Sequence, residues 1–175
     1  MKHRLQLQEL IVANQQTLKD AEQILMGISS QAYVEITDPF KASIGKHMRH
    51  ITDHCIQLLN GISHNRINYD ARERNEVVEQ NKPAMIELLQ AINDQFAQLS
   101  ESEDLEIFVI LSVDENAATP EVRSTLAREL VFLQSHTTHH CAIISAMLQL
   151  QGVRVPESFG IAASTLKYDQ QRCAH

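Results

Sequence analysis

From Ser43 to Ile62 the chain reads SIGKHMRHITDHCIQLLNGI. Ile44, Met48, Ile51, Cys55, Leu58, Leu59 and Ile62 recur every three or four residues, the spacing that places side chains on one face of an α-helix. Ser43 is positioned to cap that helix, because its hydroxyl can accept from an unpaired amide of the first turn, and Gly61 marks its end. His47, His50 and His54 stand at i, i+3 and i+7; at about 100° per residue they fall within roughly 60° of one another. The stretch predicts an amphipathic helix with a histidine face.

Working outward, Leu5, Leu7, Leu10, Ile11, Leu18, Ala21, Ile24, Leu25 and Ile28 give a first helix across roughly the first thirty residues. Residues 31–42 contain Thr37, Asp38 and Pro39, and the proline disfavours helix at Asp38, so a loop is expected. After a polar connection, Asn65 to Arg74, a third helix is predicted from about Glu76 to Leu99, with a kink or late start near Asn81 because Pro83 would strain its interior. Leu105 to Val113 is rich in β-branched and aromatic residues and Asp114 to Asn116 offers turn chemistry, which predicts a short hairpin returning through Thr119 to Val122. Ser124 or Thr125 then caps a fourth helix carrying Leu126, Leu130, Leu133, Ile144, Met147 and Leu148 up to Gly152. The remainder, with Pro156 and Gly160, is expected to wrap the bundle and hold a short terminal helix.

The composition fits an all-α fold. With 175 residues, 43% hydrophobic, 21% charged and only five glycines and four prolines, the chain is expected to fold as a single domain over residues 1–175 rather than remain disordered. Twenty-two acidic against fifteen basic residues give a formal charge of -7 with no Lys/Arg run, which argues against nucleic-acid binding. No apolar stretch is long enough for a membrane span and no signal h-region follows Met1, so a cytoplasmic protein is expected. Cys55, Cys141 and Cys173 are odd in number and widely separated, which suits a reducing compartment and small-hydrophobe roles rather than disulfides or thiolate ligands.

Seven of the nine histidines lie in or at the edges of the second and fourth predicted helices. In the fourth, His136 and His140 are one turn apart and interrupt the stripe between Leu133 and Ile144, so they point inward. Two imidazoles one turn apart can chelate one ion, and a third ligand from a facing helix completes a site of the kind helix bundles build. His50 with His54 forms a second such pair, which leaves four-histidine coordination open. A single inward histidine is more often a core residue bonded to a carbonyl than a ligand; five near one layer of a bundle read better as a metal site, because a metal satisfies several ring nitrogens at once. Imidazole ligands favour zinc, nickel or iron over calcium or magnesium. Asp53, three residues after His50, could orient a ligand ring. His139 faces about 100° away from His140 and reads as a flank.

The pattern Ser43-Ile-Gly-Lys-His47-Met-Arg-His50-Ile-Thr-Asp53, followed by His136-Thr-Thr-His139-His140, resembles the DinB-like superfamily of four-helix metal-binding proteins. The resemblance extends to Asn68-Tyr69-Asp70-Ala-Arg72-Glu-Arg74 and to Ser124-Thr-Leu-Ala-Arg-Glu-Leu130, segments similar to an uncharacterised branch. It implies an up-down-down-up four-helix bundle and a metal held by three histidines, which map onto His50, His136 and His140. His47 and His54 are outside that triad and are left to line the pocket or join the site. Characterised members include thiol-dependent transferases and isomerases in which the metal activates a cofactor thiol.

The leading expectation is therefore a metal-dependent enzyme of the thiol S-transferase type, acting on a small molecule with a low-molecular-weight thiol as partner. Arg72 and Arg74 are candidates for holding a carboxylate of that thiol. A metal-dependent hydrolase is the alternative within enzymes, with Asp53, a free histidine or Glu129 taking the proton from water. A non-catalytic metal or small-ligand sensor, with a homodimer left open, is the third reading.

Overall fold

Four long helices carry the core of this computed structural model, which describes residues 2–99 and 104–173. They are α1 (Lys2–Gly27), α3 (Ile44–Ile62), α5 (Lys82–Gln98) and α6 (Leu126–Leu150). Both α1 and α3 pack on α5 and on α6, so the four close into a ring. Its interior is filled by stripes read from the sequence, including Ile11, Leu18 and Leu25 of α1, Ile44, Met48 and Ile51 of α3, and Leu130, Leu133 and Ile144 of α6, together with Leu89 and Phe96 of α5. The side chains of Leu5 and Cys173 lie outside the described residues.

The ends of these helices follow their local chemistry. Ser43 caps α3 by accepting from the Lys46 amide, and Thr125 caps α6 by accepting from the Arg128 amide. The third predicted helix is two: α4 (Glu76–Gln80) and α5, broken at Asn81, whose side chain accepts from the Ala84 amide and caps α5. Pro83 thereby falls in the first turn, where its missing N–H is no loss. Gly152, at φ +76°, turns the chain out of α6.

Three features depart from the sequence reading. Residues 31–42, expected as loop, begin inside a short helix, α2 (Ser30–Val34), which is anchored by the fully buried Tyr33 and its hydroxyl's bond to the Val78 carbonyl (2.7 Å). The polar connection after α3 contains a strand, β1 (Arg66–Asn68), centred on the fully buried Ile67. The predicted hairpin exists as β2 (Glu106–Ile110) and β3 (Glu121–Thr125), but it is part of a three-stranded sheet in the order β1-β2-β3, parallel then antiparallel, with Ile67 opposite Val109 and Val109 opposite Val122. One buried residue among polar neighbours carries no two-residue alternation, so β1 leaves no local signal. Its partner lies some forty residues away.

Beyond α6 the chain runs back along the bundle to the terminal helix α7 (Ala163–Cys173). Gly160, at φ +77°, seats this tail against α6, since a Cβ there would lie 2.5 Å from the Ala142 amide nitrogen.

Candidate metal centre

The helical registers of α3 and α6 bring His50, His136 and His140 to one point. Each offers a ring nitrogen within 4.8 Å of those of the other two, and their ring centroids lie 5.0 Å (His50 to His136), 4.7 Å (His50 to His140) and 4.6 Å (His136 to His140) apart. His54 and His47 stand around this triangle. The His54 ring is 4.5 Å from His50 and 4.3 Å from His136, and the His47 ring is 5.2 Å from His140. His139 is exposed and remains a flank.

The ring nitrogens of the triad have different partners, and the Arg72 guanidinium, which can only donate, makes His50 Nδ1 an acceptor. His140 Nδ1 lies 3.0 Å from His47 Nδ1, and His50 Nδ1 lies 3.2 Å from a guanidinium nitrogen of Arg72. His136 Nε2 is buried with no partner. A buried ring nitrogen without a partner costs about 1–3 kcal/mol, and a divalent ion at this point would satisfy it. Burial first, and then the neighbouring imidazoles, push His50 and His140 down to about 3 and His136 down to about 4. The three rings are therefore neutral at neutral pH, the state in which imidazole donates a lone pair to a metal. The donor set fits a nitrogen-favouring transition metal.

Around the triad the structure sorts the other predicted residues. His54 Nδ1 donates to the His50 carbonyl (2.9 Å), so its lone pair sits on Nε2. Arg72 reaches the site, and its Nε is buried without a partner; Arg74 is exposed, at φ +53°. Asp53 does not orient a ligand ring: its carboxylate accepts from Arg49 (2.7 Å), one turn back on α3, while Arg49 also holds Glu79 (2.8 Å). That pairing puts Asp53 in a structural tie between α3 and α4. Glu129 is buried and accepts from the Tyr69 and Ser124 hydroxyls, so both carboxylate oxygens are engaged and a role as a free base for water is not what this geometry offers.

Two aromatic residues complete the surroundings without having been singled out from the sequence. Phe132 stacks on His136 (5.6 Å, 22° between planes), and Tyr69 stacks on His54 (5.4 Å, 25°). Phe132 is four residues before His136, so the helical spacing contained that signal; Tyr69 comes from the β1 end and left none. Cys55 and Cys141 are fully buried, and burial pushes both thiols up to about 12. They are small hydrophobes, not ligands.

The fold and site together define a helical protein whose clustered histidines allow metal binding. The chain matches the DinB superfamily over residues 13–144, three quarters of its length, and belongs to that superfamily. It is also similar to "FK506-binding protein 5" of Rhizopus delemar, at 32% identity over 104 residues that make up 58% of this chain and 27% of that protein. The chain thus corresponds to about a quarter of that relative. No solved structure matches it. Among the described residues no helix is long and apolar enough to cross a membrane.

Proposed function

We propose that the chain is a metal-dependent enzyme of the thiol S-transferase type, acting on a small-molecule electrophile with a low-molecular-weight thiol. The observation that carries this reading is a three-histidine cluster with a guanidinium, that of Arg72, whose Nε is buried and unsatisfied beside it. Three protein ligands leave positions open for a ligand, as in catalytic rather than structural zinc sites. Bound there, zinc, nickel or iron supplies the positive charge that keeps a thiol deprotonated near neutral pH. Arg72 would take the thiol's carboxylate on its guanidinium, whose buried Nε lacks a partner. His54, His47 and Phe132 wall the site and limit water around the nucleophile. In an addition to an activated C=C bond, the S–H bond breaks, a C–S bond forms, and the proton finishes on the adjacent carbon.

Hydrolysis is the second reading, and His54 favours it: its Nδ1 is fixed as a donor to the His50 carbonyl, leaving Nε2 as an acceptor beside the triad. Zinc-loaded and metal-free protein are each offered N-acetylcysteine with a model enone and, separately, a model ester in water enriched in heavy oxygen. Thioether formed faster with the metal supports transfer; label entering the ester's carboxylate faster with the metal supports hydrolysis. Neither product would remove the enzymatic reading and leave a metal or small-ligand sensor. A reducing, cytoplasmic setting suits both readings, since Cys55 and Cys141 are free thiols.

A further inference from the structure

Behind Phe132 and Tyr69, the sheet and α6 line a half-open cavity of about 320 Å³. Its walls are mostly apolar, from Val109, Leu111, Pro120 and Val122 together with the two aromatic rings. Phe132 lines this cavity and also stacks on the ring of His136. The volume is at the small end for ligand sites, which run from roughly 300 to 1,000 Å³. It suits a short alkyl chain or one aromatic ring.

Charge at the cavity is not symmetrical. Arg123 is held by Glu106 (3.4 Å) and lies over the Phe108 ring (6.0 Å). Glu129 is engaged by Tyr69 and Ser124. Arg128, exposed and also lining the cavity, has no side-chain hydrogen bond or ion pair among the described residues. Arg128, Phe132 and His136 follow one another at four-residue steps on α6, so the cation stands about 12 Å along the helix axis from the histidine. Cation, apolar wall and candidate reaction centre thus follow in order along α6, each turned by about 40° from the last.

We propose that this cavity receives the apolar body of an organic carboxylate, the electrophilic substrate, with its carboxylate at Arg128 and its reactive end toward His136. The proposal rests on the triad's being the reaction centre, but its test does not. Octanoate and its neutral counterpart octanamide are titrated by calorimetry into the full chain, both as purified and loaded with zinc. Octanoate is expected to saturate and to bind about fivefold more tightly than octanamide, the size of a partly exposed ion pair. Arg128→Gln should remove that preference. Val122→Trp, at a half-exposed position on the cavity wall, should weaken both ligands about tenfold by filling the space they occupy.

Absence of saturable octanoate binding, equal affinity for the two ligands, or affinities unchanged in both variants would overturn the proposal; the last result would show carboxylate binding elsewhere, such as on the metal. A protein that binds octanoate as predicted yet transfers no thiol would lose the functional reading and keep the cavity.

Discussion

His47 and His140 face each other through their Nδ1 atoms, 3.0 Å apart. One of the two nitrogens must carry the proton. If His140 carries it, His140 keeps its Nε2 lone pair for a metal and His47 acts as the acceptor that holds the ring in place, an arrangement worth roughly 10–100-fold in metal affinity. His47→Phe should therefore weaken zinc binding about tenfold in a chelator competition, while His47→Gln, which retains an acceptor, should recover most of the loss. Equal weakening in both variants would mean that His47 only fills space.

Metal content is the next expectation. The wild-type chain should carry close to one zinc, nickel or iron per molecule by elemental analysis, and His50→Ala, His136→Ala and His140→Ala should each lose it. In the metal-free protein His136→Leu should change stability by less than about 1 kcal/mol, because Nε2 has no hydrogen bond to lose. A loss of several kcal/mol on urea unfolding would show that the ring has a structural partner instead.

The depressed histidines also set a pH dependence. His50 and His140 titrate near 3 and His136 near 4 in the folded chain, against about 6.5 when unfolded. Between those limits the unfolded chain binds more protons, so stability rises with pH through the window. The metal-free protein should be fully stabilised above about pH 6.5 and should lose stability progressively as pH falls toward 3. Urea midpoints measured at half-unit steps from pH 7.5 to 4 check this, and a flat profile would contradict it.

Arg49 joins Asp53 on its own helix to Glu79 on α4. Burial raises the Asp53 carboxyl and Arg49 opposes that rise, so Arg49→Met leaves a buried carboxylate without its cation. A loss of about 3 kcal/mol is expected at pH 7. The loss should shrink toward pH 4.5, where the orphaned carboxyl can protonate. A deficit independent of pH would point to lost packing of the arginine stem.

Gly160 offers a test of how the tail is held. Its positive φ and the close Ala142 backbone leave no room for a side chain, so Gly160→Ala should cost about 2 kcal/mol and expose the segment after α6 to limited proteolysis. An unchanged cleavage pattern would mean that the tail is held by other contacts.

Much of this architecture is local in origin and so can be read along the chain. The apolar stripes of α1, α3 and α6, the caps at Ser43 and Thr125, and the break at Asn81 ahead of Pro83 all follow from interactions within a few residues. The helical period also put His136 over His140 and His50 over His54, which was enough to expect two histidine faces. Other features depend on partners far apart in the chain: β1 needs β2, Tyr33 needs the Val78 carbonyl, and Tyr69 needs Glu129.

The sequence by itself determined which residues could share a helix face, because a rise and a rotation per residue are the same in every α-helix. Only the tertiary structure decided which of those faces meet: that His50, His136 and His140 form the close group while His47 and His54 stand around it, that Arg72 rather than Arg74 reaches them, and that Asp53 is taken by Arg49. Those choices rest on the lateral packing of α3 against α6 and on the path of the chain between α3 and α5, neither of which any local periodicity encodes.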